Sequence, residues 1–234
     1  MQQEKDYREL YRLSRELGIP VPETFLEIVI TGEGGRGRRL KTIRRRSHSW
    51  NRNAYNLLFC QLACADASDS SFGAGYLSIK LQSGALAGSL LGFQLNTFYY
   101  IPINYYLSDL ESSGRGYIGS DEQDSRSIQI GTGLTAENFD GYTLQTKIAN
   151  GHGTGQVNYV RSVAAALTYD SLTKILTVTH ARYFNNNSGG DIALAEIGLT
   201  ADWLMCRDVL SPAVNYPDKA QLKVTYAISL TFPY

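Results

Sequence analysis

From residue 126 to its end, the chain alternates apolar and polar positions, the period-two signature of half-buried strands. SIQIGTG (127–133), YTLQTKI (142–148), QVNYVRSVAAALTYD (156–170), KILTVTHARYF (174–184), IALAEIGL (192–199), LMCRDVL (204–210) and LKVTYAISLTF (222–232) read as strands. Gly, Asn, Ser and Asp separate them, most clearly in NNNSGGD (185–191). Upstream, FLEIVIT (25–31) and RRLKTIRRRSHSW (38–50) flank GEGGRG (32–37), which predicts a β-hairpin with a basic second strand.

Helical spacing appears twice. Tyr7, Leu10, Tyr11 and Leu17 fall on one face of residues 4–17, which predicts an amphipathic helix ending at Gly18 before Pro20 and Pro22. Tyr55, Leu58, Phe59 and Leu62 do the same in NAYNLLFCQLAC, a short helix capped by Asn51 or Asn53. Residues 66–125 carry weak signals: a Gly/Ser-rich run, the aromatic TFYYIPINYYL (97–107) and a polar loop over 111–125. The chain thus divides into a helix, hairpin and helix over 1–65, an excursion or arm over 66–125, and a β domain over 126–234. The expected fold is mainly β: an antiparallel sandwich of jelly-roll type preceded by an N-terminal helix, a basic hairpin and a short helix.

Composition sharpens this picture. At 43% hydrophobic and 19% charged, the 234 residues can build a packed core, which excludes wholesale disorder. The net charge is zero, but residues 1–52 hold twelve Lys/Arg against seven Asp/Glu, leaving ten against fifteen for the remainder. Oppositely charged halves suit docking onto partners or onto further copies. Cys60, Cys64 and Cys206 are odd in number and form no C-x-x-C pair, so a reducing compartment is expected rather than a disulfide framework. The charged N-terminus is unlike a secretory leader, and no apolar run is long enough to span a bilayer.

Several segments occur in an order that resembles a family of tailed-bacteriophage virion structural proteins. They are Gly131-Thr132-Gly133, Tyr142 through Ile148, Arg182 through Gly190, Glu196-Ile197-Gly198-Leu199, Leu204 through Leu210 and Val224 through Ile228, with Ser49 through Leu58 upstream. The resemblance covers residues 25–60 and 127–232. It implies a virion component, made in the host bacterial cytoplasm, that assembles with capsid or tail subunits and with copies of itself. Head decoration, adaptor and fibre are all open on this basis.

Chemical motifs are few. Gly32-x-Gly34-x-x-Gly37 has dinucleotide-fingerprint spacing, but a basic strand follows where a helix N-terminus must receive the pyrophosphate. A hairpin tip is the expected role. His48, His152 and His180 lack metal-ligand spacing, and Cys60 and Cys64 sit among apolar neighbours as small core residues. No G-x-S-x-G elbow is present, and Glu196 is expected to pair with Arg182 or Arg207 in a structural role. Neither enzyme, cofactor nor metal is therefore expected.

The cations are more informative. Arg36, Arg38, Arg39, Lys41, Arg44, Arg45, Arg46 and Arg52 place eight charges in seventeen residues. Strand parity puts Arg44 and Arg46 on one face and Arg45 on the other, so the buried side requires a partner. Docking to another subunit is favoured over a solvated face and over nucleic acid. The candidate interaction residues are Tyr7, Tyr11, Arg38, Arg39, Arg44, Arg45, Arg46 and, in the aromatic run, Tyr99, Tyr100, Tyr105 and Tyr106. The aromatic run reads equally as sandwich core. A host-binding fibre or spike that recognises surface glycan is the alternative function.

Overall fold

The computed structural model describes residues 2–19, 21–47, 49–56, 79–86, 117–201 and 203–232. Its elements are α1 (Gln2–Leu17), β1 (Pro22–Thr31), β2 (Arg39–Ser47), β3 (Ser127–Gly131), β4 (Asn158–Tyr159), β5 (Val163–Asp170), β6 (Ile175–Asn185), β7 (Ile192–Thr200), β8 (Leu204–Tyr216) and β9 (Gln221–Thr231). A further helical turn spans 52–56, inside the expected second helix, whose remainder lies outside the described residues.

The strands form two antiparallel sheets. The large one runs β2-β1-β9-β6, with β4 and β5 side by side along the far edge of β6; the small one runs β3-β7-β8. The mainly β, antiparallel expectation holds. The hairpin is not separate from the sandwich, however. β1 pairs along its whole length with β9, from Pro22 opposite Leu230 to Thr31 opposite Gln221, so residues 200 apart in sequence sit centrally in one sheet.

Alternation places Leu26, Ile28 and Ile30 of β1 and Leu222, Val224 and Tyr226 of β9 on the buried face. They meet Ile128, Ile130, Ile197, Leu199 and Cys206 of the small sheet in one hydrophobic cluster. A satellite cluster of Ile79, Ala201, Trp203 and Met205 closes the end of the small sheet.

One expected strand is absent. Residues 142–148 form a loop with a single bridge from Lys147 to Gly131. Leu144 and Ile148 are buried as a strand pattern requires, but the Gln145 and Thr146 amides donate to the Glu196 carboxylate rather than to a neighbouring strand. Polar capture of the backbone overrides the alternation.

Arg182, on the inner face of β6, is fully buried, and its guanidinium makes no direct ion pair among the described residues. Its guanidinium donates to carbonyls instead: Nε to Val160 (2.9 Å), Nη1 to Arg126 (2.8 Å) and Nη2 to Ser120 (2.9 Å) and Gln123 (2.6 Å). The Tyr159 ring lies 4.9 Å beneath it. Burial lowers its pKa to about 10, with the Asp124 and Asp121 charges opposing, so it stays protonated at neutral pH. A Cβ on Gly119 would lie 2.7 Å from Nη1, so that position must be bare. One side chain thereby pins the 117–126 loop and the approach to β4 onto the large sheet.

Arg182→Leu should lower stability by about 3–5 kcal/mol, because several buried carbonyls lose their only charged donor, and the urea midpoint reports it. His180, two residues earlier on the same face and beside the Tyr117 ring, has its pKa lowered below 6.5 by burial. Its contribution is therefore complete above the unfolded value and declines as pH falls below it, because the unfolded chain then takes up a proton that the folded chain refuses. Urea titrations at a series of pH values should show a shallower decline below about pH 6.5 for His180→Gln.

Candidate interaction surface

Two buried carboxylates organise the site. Glu196, in the middle of β7, is fully buried and accepts from the amides of Gly133 (3.1 Å), Gln145 (2.9 Å) and Thr146 (2.6 Å) and from Arg207 Nε (2.6 Å). Arg207 is thus the partner, not Arg182. A Cβ on Gly131 or Gly133 would lie 2.5 or 2.6 Å from Glu196 Oε1. The G-T-G motif is therefore the clearance that this carboxylate demands.

Asp208, on the opposite face of β8, lies between the sheets. It accepts from Tyr226 Oη (2.8 Å), Ser47 Oγ (2.8 Å) and Arg45 Nη2 (3.1 Å), and Arg45 Nη1 also reaches the Val209 carbonyl at 2.9 Å. Burial, reinforced by the Asp208 charge, pushes the Tyr226 hydroxyl well above its usual pKa, so it remains a donor. Arg45 is the inward cation that strand parity demands, and its partner comes from a strand more than 160 residues away.

The outward cations divide further. Arg46 is half-buried, pairs with Glu23, and lies over the Tyr11 and Phe25 rings at 5.2 and 4.9 Å. Tyr11 donates from its hydroxyl to the Pro22 carbonyl at 3.3 Å, tying α1 to the start of β1. Arg44 is exposed above Phe25, and Arg36, Arg38, Arg39 and Lys41 are exposed around the hairpin tip. Of the candidate residues, Arg45 and Arg46 thus serve the chain's own packing, while Arg38, Arg39 and Arg44 remain on the surface. The Tyr7 side chain and Tyr99, Tyr100, Tyr105 and Tyr106 lie outside the described residues.

Beside Arg46 lies a half-open cleft of about 440 Å³, lined by Tyr11, Pro22, Glu23, Trp50, Tyr55 and Ile228 among others. The Trp50 indole donates to Thr24 Oγ1 at 3.2 Å, which fixes its ring in the wall. Among the described residues no group of three His, Cys, Asp or Glu could hold a metal ion. Cys206 is free and buried, its thiol pKa raised by burial. Cys60 and Cys64 lie outside the described residues.

Sequence reasoning missed β5 as a surface. All eight of its residues are exposed, and it pairs only with β6 among the described strands. The signal was legible as VAAALTY, an uncharged run on a strand with no inward stripe to bury.

Comparison with known protein families, with curated proteins and with solved structures finds no match.

The two classes of hairpin cation should separate by mutation. Arg45→Met leaves the Asp208 carboxylate buried without its cation and should cost about 3 kcal/mol in chemical denaturation. Arg38→Ala and Arg39→Ala should each stay within about 0.5 kcal/mol of the parent.

Proposed function

We propose that this chain is a structural component of a tailed-phage virion, and that its cationic hairpin docks on an acidic surface of a neighbouring capsid or tail protein. The observation that carries this reading is the division of labour along β2. Arg45 and Arg46 are committed to Asp208 and Glu23, whereas Arg36, Arg38, Arg39, Lys41 and Arg44 stand exposed on the same hairpin. Arg39, Lys41 and Arg44 are held on a strand paired to the sandwich, with Arg36 and Arg38 in the tight turn that leads into it, so the cations keep a fixed spacing rather than moving as a tail. A patch of that kind steers encounter and fixes register with an opposite charge.

The virion setting is supported by where the resemblance falls. Gly131, Gly133, Glu196 and Arg207 join in one buried network, Asp208 and Tyr226 in a second, and Arg182 forms a third. The recurring motifs are therefore the polar framework of the sandwich, which is the part that a family of assembly proteins would hold constant while varying its surface. No helix among the described residues is long and apolar enough to cross a membrane.

The glycan-binding alternative draws on the cleft, where Tyr11, Trp50 and Tyr55 supply rings and Glu23 and Arg46 supply polar groups, the combination a saccharide takes.

Particles produced from the encoding genome should carry the chain, located by gold labelling at the head or tail. Reversing Arg36, Arg38, Arg39 and Lys41 to Glu should leave the fold intact and deplete the chain from particles. Particles that never contain the chain would sink the proposal. Particles that incorporate the reversed variant normally but lose adsorption to cells after Trp50→Ala would favour the glycan reading.

A further inference from the structure

Among the described strands, the two long edge strands of the large sheet are built differently. β2 carries Arg39, Lys41, Arg44, Arg45 and Arg46 within nine residues, charge that blunts an edge against pairing with another chain. β5, on the opposite edge, reads VAAALTYD; its first seven residues contain no charge and no proline. Every one of its side chains is exposed, with Leu167 at 69% and Tyr169 at 52%. Leu167 lies opposite Val178 and Tyr169 opposite Leu176, so this apolar surface continues across β6. The Phe232 ring meets Tyr169 at 6.1 Å, extending it past β9. An exposed apolar strand without blunting charge or proline is a template for a further strand, and past its one register shift, between Val163 and Ala166, β5 runs regularly to Asp170.

We propose that β5 pairs with β5 of a second copy, antiparallel about a two-fold axis, so that two large sheets become one continuous sheet. The charges at the ends of the strand select this partner and this direction. Exposed Arg161 lies just before β5 and exposed Asp170 ends it, with only uncharged residues between. An antiparallel pair centred on Ala166, each copy's opposite the other's, brings each Arg161 end to the Asp170 end of the other copy, whereas parallel stacking sets like against like. The three alanines at the centre, Ala164, Ala165 and Ala166, present no bulk against close approach. The pairing is isologous and therefore closes at two copies. It adds a defined self-contact to the assembly reading, and its test needs no particle, so failure of either is read independently.

Sedimentation equilibrium of the full chain between about 1 and 100 µM should show a dimer. Leu167→Lys, at a site too exposed to matter to the fold, should weaken it by about tenfold or more, because two like charges then face one edge. Amide exchange should show residues 163–170 protected in the parent dimer and unprotected in that variant. Arg161→Glu should also weaken the dimer, and adding Asp170→Lys to it should restore association. A chain that stays monomeric across the range would overturn the proposal. So would a dimer whose constant Leu167→Lys leaves unchanged, or one that the double charge reversal fails to restore.

Discussion

Charge buried between and beneath two sheets is the constraint from which most of this structure follows. Glu196 is the clearest instance. Burial strips this carboxylate of its solvation, and four donors converge on it in place of solvent. Three are backbone amides, which means that a whole loop is shaped to deliver them. The loop reaches the carboxylate only because positions 131 and 133 carry no side chain. A single ionised group thus fixes two glycines, one arginine and the path of 133–146.

Arg182 and Asp208 repeat the logic with other partners. Arg182 satisfies its fork with carbonyls alone and so converts a stretch of irregular backbone into a rigid wall. Asp208 draws donors from β2 and β9, strands of the opposite sheet, and so acts as a polar rivet across the apolar interface. Hydrophobic burial brings the sheets together without direction. Hydrogen-bonded charges, tolerant of only one geometry, then fix how the sheets sit.

This explains what was readable from sequence and what was not. Period-two alternation found β1, β2, β6, β7, β8 and β9, because their side chains face a core on one side. The same alternation misled at 142–148, where Leu144 and Ile148 are buried as in a strand but the backbone serves Glu196. Strand parity foretold that Arg45 would lie on the opposite face from Arg44 and Arg46. It could not name Asp208, since the register between β2 and β8 is set by packing across the whole molecule rather than by local pattern. The pairing of β1 with β9 was hidden for the same reason, and with it the fact that the hairpin belongs to the sandwich.

A sandwich that commits its buried charges inward leaves its surface free to specialise, and the two edges of the large sheet have done so in opposite senses. A cationic edge resists pairing with its own kind and invites an acidic partner; an uncharged edge does the reverse. The edges are separated by β1, β9 and β6, in one hydrogen-bonded sheet whose neighbours pair in unbroken succession from β2 to β5. The two proposed contacts, different in chemistry, thereby lie on opposite edges of one sheet. On the two proposed readings, a body with one self-directed edge and one partner-directed edge would present the cations of both hairpins together. The second copy would then bind at the effective concentration set by the first, and a surface attraction too weak for one hairpin would suffice for two.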